Sequence, residues 1–64
     1  MIKTGNVIIW IGDGVYEIII SVSEFKFQTY AIDVKNNNHT NCTWNVETFR
    51  IFKDKKRLWL LIIK

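Results

Sequence analysis

Proline is absent from this chain of 64 residues, and it has one cysteine, one histidine and three glycines. Each scarcity removes a class of protein. With no proline, no position is barred from donating to a strand ladder. Cys42 has no second cysteine to bridge, and there is no paired Cys and His pattern for structural zinc. His39-x-x-Cys42, even with Asp33 or Glu47 nearby, supplies two of the four soft or imidazole ligands such a site needs. Nucleophilic catalysis fares no better. The sole histidine sits in a polar stretch, and Ser21 and Ser23 have no glycine elbow or neighbouring base. The longest apolar run, Leu58 to Ile63, is far short of the ~20 residues that span a bilayer. Gly12 and Asp13 end the run from Val7 to Ile11 before it reaches the length of a signal-peptide core. The expectation is an intracellular, non-enzymatic chain with no cofactor and no membrane partner.

What is present is apolar and aromatic. Hydrophobic residues make up 48% of the chain, with three Trp, four Phe and two Tyr. A domain this small buries only ~60% of the surface its unfolded chain exposes. Without disulfide or metal, stability has to come from dense packing or from a partner. Nine Lys and Arg against six Asp and Glu leave a net charge of +3, a mild excess that falls short of a phosphate-binding stripe. Ile, Asn and Lys are abundant together, as in AT-rich genomes, which suggests a phage or viral origin and a small inhibitor or adaptor.

Read in order, residues 1–64 form one domain of strands. Val7 to Ile11 are β-branched or aromatic and lead into Gly12-Asp13-Gly14. Asp-Gly between apolar runs predicts a hairpin, because its central positions need positive φ. A two-residue turn at Asp13-Gly14 sets Ile11 opposite Tyr16, Ile9 opposite Ile18 and Val7 opposite Ile20 on a wholly apolar face. Ile8, Trp10, Glu17, Ile19 and Ser21 share the other, mixed face. A third strand runs from Phe25 to about Val34. Its apolar parity changes between Phe27 and Tyr30, which predicts a bulge near Gln28 or Thr29. Residues 35–41 read as a loop. The segment from Cys42 to Phe52 changes parity between Val46 and Phe49 and is read as a fourth strand, with a short helix capped by Asn45 as the rival reading. A turn at residues 53–56 precedes the final strand.

Five consecutive antiparallel strands predict an all-β meander closing into an SH3-like, or partly open OB-like, barrel that leaves no exposed edge. One barrel interior accepts only alternate residues of each strand, yet the last strand is apolar on both sides. Its surplus side, Trp59, Leu61 and Ile63, joined by Ile8, Trp10 and Ile19 from the mixed face, predicts an apolar contact surface for a protein partner or a second copy of the chain. The alternative is a nucleic-acid surface in which Lys53, Lys55, Lys56 and Arg57 frame Tyr30 and Trp44 as stacking platforms.

Overall fold

A computed structural model describes residues 2–10, 12–55 and 58–62, and the side chains of residues 2–10 and 12–54. The described elements follow in the order β1 (Asn6–Trp10), β2 (Val15–Val22), β3 (Lys26–Asp33), β4 (Asn38–Asn45), α1 (Val46–Lys55) and β5 (Leu58–Ile62). The chain is therefore mostly β. Its strands pair antiparallel in one sheet with the order β4-β3-β2-β1-β5.

This order corrects the expected meander and its closure. β5 adds beside β1 instead of β4, so β4 and β5 are the two edges of an open sheet. The physical reason lies at Asn45. Its Oδ1 accepts the backbone N–H groups of Glu47 (2.9 Å) and Thr48 (3.3 Å), which caps a helix where a continuing fourth strand was expected. Glu47 then sits in the first turn, where the helix dipole favours a negative charge. Val46, Phe49 and Phe52 recur at helical spacing, and Phe49 is only 3% exposed. A helix laid on one face covers that face and removes the need to close the sheet.

The first hairpin forms, with a longer loop than a two-residue turn. Trp10 pairs with Val15 and Val7 with Ile18, so residues 11–14 make the connection. Gly12 (φ 89°) and Gly14 (φ 71°) both take the left-handed conformation expected of Gly14. Because the register moves by two residues, each side chain up to Ile19 keeps the face that alternation assigns to it, whereas the shift between Ile19 and Ser21 moves Ser21 across to the side of Gln28. The role of the two faces is what changes. Ile8, Trp10 and Ile19 are buried under α1, whereas Tyr16 and Ile20 on the wholly apolar side are 42% and 45% exposed.

The expected bulge in the third strand is found across the ladder instead. β3 alternates without interruption, and the extra residue lies in β2 between Ile19 and Ser21, facing Thr29 and Gln28. β3's change of apolar parity means that Phe27 joins the core while Tyr30 and Ile32 lie on the opposite side. The polar connection after β3 is also tighter than expected. Asp33 pairs with Asn38 across residues 34–37, with Asn37 left-handed at φ 57°. Residues 36–41 are all exposed, but residues 38–41 belong to β4.

The core consists of Ile8, Trp10, Ile19, Phe27 and Phe49, with Ile2, Val15, Trp44 and Val46 packed against it. Aromatic edges meet faces throughout. Phe49 stands at 88° to Phe27 (5.1 Å between centroids), at 84° to Trp10 (6.3 Å) and at 72° to Trp44 (5.4 Å), geometries that favour ring quadrupoles beyond area burial. The N-terminal approach is tied down as well: Asn6 Oδ1 accepts the Lys3 N–H (2.8 Å), and the Gly5 N–H donates to the Ile19 carbonyl (2.8 Å). No helix among the described residues is long and apolar enough to cross a membrane.

Candidate functional site

With α1 on one side of the sheet, the other side has no described element over it. β1 contributes Ile9 and the buried Val7; β2 contributes Tyr16, Ile18 and, at the bulge, Ile20; β3 contributes Tyr30 and Ile32. His39, Asn41 and Thr43 of β4 border this surface as the register partners of Ile32, Tyr30 and Gln28, and the His39 ring lies 5.6 Å from that of Tyr30. Its one charged residue from β1 to β3 is Lys26, exposed at the start of β3 opposite Asn45 and beyond the last β2–β3 pair. An antiparallel sheet facing water on one side ordinarily shows polar residues there. Here that side is isoleucine and tyrosine, the composition of a face that expects cover.

The contact residues proposed from sequence divide accordingly. Trp59 and Leu61 lie in β5 as the register partners of Ile9 and Val7, two residues of the uncovered side. Ile63 lies outside the described residues. Ile8, Trp10 and Ile19 are in the core, where they present no outer surface, whereas Tyr16 and Ile20 are exposed and Ile18 half-buried on the opposite side. Sequence alternation contained this information. It separated the two sides correctly as far as Ile19, with Ser21 beyond the bulge misplaced, but could not tell which one a helix would cover.

The nucleic-acid constellation is not assembled. Trp44 stacks on Trp10 (5.9 Å, 25° between planes) and faces the core with Phe49 and Phe52, whereas Tyr30 is on the opposite side of the sheet. Lys53 is exposed on α1, Lys55 is its last residue, and Lys56 and Arg57 lie outside the described residues.

Glu17, expected on a strand surface, is instead buried at 4% exposure. Its Oε1 accepts from Thr29 Oγ1 (2.7 Å) and Trp44 Nε1 (2.8 Å), and its Oε2 accepts from Trp10 Nε1 (2.5 Å). A carboxylate is an acceptor only, so three neutral donors suit it without a cation. Among the described residues the one ion pair is the solvent-exposed Arg50–Glu47 contact on α1. Every buried side-chain nitrogen and oxygen there has a partner. Next to this node, desolvation and then the Glu17 charge push the half-buried Cys42 thiol above its ordinary range. Such a thiol is a poor nucleophile. On the opposite flank, hydrogen bonds from Asn36, first its side chain and then its backbone, hold Asp33 below the usual carboxylate range.

Beside α1 lies a cleft of about 460 Å³, with Phe27, Phe49, Val22 and Val46 as apolar walls and Glu24, Arg50 and Lys53 among its other lining residues. It contains no nucleophile paired with a base. Among the described residues, no three His, Cys, Asp or Glu side chains come together as a metal site. Comparison with protein-family models, curated proteins and solved structures finds no match.

Proposed function

We propose that this chain is a small, non-enzymatic binding module that docks a protein partner on the uncovered side of its sheet. One observation carries the reading: α1 is spent on one face, while Ile9, Tyr16, Ile18, Ile20, Tyr30 and Ile32 form the other. Aromatic and aliphatic anchors with polar neighbours at the margin are the composition of a protein interface, in which a few central side chains dominate the energetics. Tyr16 and Tyr30 add rigid contact area that costs little conformational entropy on binding. His39, Asn41 and Thr43 form the polar margin. In the nucleic-acid alternative the aromatics would sit beside the basic residues, and Trp44 faces away from that role.

A photo-crosslinking side chain at position 18, compared with one at the exposed Thr48 of α1, tests the proposal in the native source. The expected result is a defined protein adduct from position 18 that is lost in a Tyr16→Lys, Tyr30→Lys double variant and changes little with salt. Equal adducts from position 48, or adducts with nucleic acid that vanish steeply as salt rises, refute it.

A further inference from the structure

β4 is an edge of the sheet, and it lacks what usually keeps an edge from pairing. Natural edges are short, bulged, charged or interrupted by proline. β4 has eight residues, Asn-His-Thr-Asn-Cys-Thr-Trp-Asn, with no lysine, arginine, carboxylate or proline, and it pairs with β3 in eight unbroken steps. In a chain of net charge +3, an uncharged edge is the place where two copies meet without repulsion.

The ladder also fixes which backbone groups point outward. The Val46 N–H donates to the Phe25 carbonyl (2.9 Å), which marks this level as a hydrogen-bonded pair. Antiparallel pairs alternate, so the levels of Trp44, Cys42, Thr40 and Asn38 are bonded to β3. His39, Asn41, Thr43 and Asn45 therefore direct their N–H groups toward the free edge. All four side chains are exposed.

We infer that this edge pairs with β4 of a second copy, antiparallel about a twofold axis at Cys42, to give one continuous sheet. An isologous contact of a strand with itself is necessarily antiparallel when the axis is perpendicular to the sheet. The register that sets all four outward residues against their counterparts pairs His39 with Asn45 and Asn41 with Thr43 of the partner copy. That register brings the two Cys42 residues opposite each other at a level without hydrogen bonds, where Cα atoms lie ~4.5 Å apart, within the range a disulfide spans. The edge is distinct from the uncovered face, and the pairing holds whether or not that face carries a partner.

The test combines sedimentation with cross-linking of the intact chain by diamide under mildly alkaline conditions. Each coupling removes two protons and two electrons from the two thiols and delivers them to the diazene bond of diamide, giving the hydrazine and a Cys42–Cys42 disulfide. The expected result is a dimer that cross-links readily when folded and poorly in urea. Thr43→Pro removes one outward donor and leaves the β3 ladder intact, so dimer affinity is expected to fall at least about tenfold with the far-ultraviolet spectrum unchanged. Asn41→Lys, which installs a charge of the kind that protects natural edges, gives the same result if the proline variant does not fold. The Tyr16→Lys, Tyr30→Lys variant, which abolishes docking on the sheet face, is expected to dimerise normally. A monomer at all concentrations, or a dimer unaffected by both edge variants or resistant to diamide, overturns the inference.

Discussion

Replacing Glu17 with Gln changes one atom and tests the centre of the structure. The carboxylate has three donors aimed at it: Thr29 and Trp44 at Oε1, and Trp10 at Oε2. Glutamine has one acceptor oxygen and one NH2. In its better orientation the oxygen keeps Thr29 and Trp44, and the NH2 is forced against the Trp10 N–H across the shortest of the three contacts. A hydrogen bond to a charged group contributes roughly 1.5–3 kcal/mol, and a buried donor left unpaired costs roughly 1–3 kcal/mol. These terms overlap, so the expected loss is roughly 2–4 kcal/mol. A chain of this length has a total stability of only about 3–10 kcal/mol. With a urea slope near ~1 kcal/mol/M for so small a protein, the unfolding midpoint should fall by about 2–4 M, or the variant should be unfolded from the start. Equilibrium urea unfolding followed by tryptophan fluorescence and circular dichroism measures this. Trp10→Phe removes the clashing donor, so the double variant Glu17→Gln, Trp10→Phe should lose less than the sum of the singles, with a coupling of about 1 kcal/mol or more. An unchanged midpoint for Glu17→Gln, or additive losses in the cycle, refutes the assignment of Glu17 as a buried acceptor.

Asn45→Ala removes the cap of α1 and should destabilise the protein by about 1 kcal/mol, read as a lower urea midpoint, with Asn45→Gly losing only a few tenths. Gly14→Val places a branched side chain at positive φ, with its Cβ 3.4 Å from the Lys35 Cβ, and should cost about 1 kcal/mol or more; Gly12→Ala, with open space around it, should cost less in the same thermal melt. Two pH effects follow from the shifted groups. Asp33 is held below its unfolded value, so its contribution is present above that value and disappears as pH falls through the folded one; acid titration of Asn36→Ala should show this component reduced, since the backbone N–H of residue 36 still donates to Asp33. Cys42 is held above its unfolded value, so both states are protonated at neutral pH and stability declines only as pH rises past the unfolded thiol value. Its alkylation should therefore be slower than that of a free thiol at neutral pH and faster in the alkaline range, or in urea.

The first three strands were legible because their β-branched and aromatic residues are bounded by glycine, serine and asparagine, signals that act within a few residues. The turn conformation of Gly14 was legible for the same reason. The helix was harder. Trp44 and Val46 extend the alternation of a strand by one step, and only the capping geometry of Asn45 with Phe49 and Phe52 shows where the period changes. Burial of Glu17 was not legible at all. Its partners lie 7, 12 and 27 residues away in the chain, so nothing in its own neighbourhood marks it as interior. The position of β5 beside β1 was hidden likewise, since sequential adjacency favoured β4.

The hydrophobic pattern alone leaves the first hairpin free to turn either side toward a helix: Val7, Ile9, Tyr16 and Ile18 are as apolar as Ile8, Trp10, Val15 and Ile19. A slip of one residue would exchange the two sets. What separates the alternatives is polar. In the observed register Glu17, the one charged residue of the β1–β2 ladder, meets two indole N–H groups and a hydroxyl, and no buried polar side-chain atom among the described residues is left unpaired. With the two sets exchanged, Glu17 turns to solvent together with Trp10 and leaves the Trp44 indole and the Thr29 hydroxyl without their acceptor in the core, at a cost of roughly 1–3 kcal/mol each. That difference is comparable to the whole stability of so small a domain. Glu17 therefore selects which face α1 covers. By the same choice it commits Tyr16, Ile18 and Ile20 to the uncovered side, the surface proposed above to dock a protein partner.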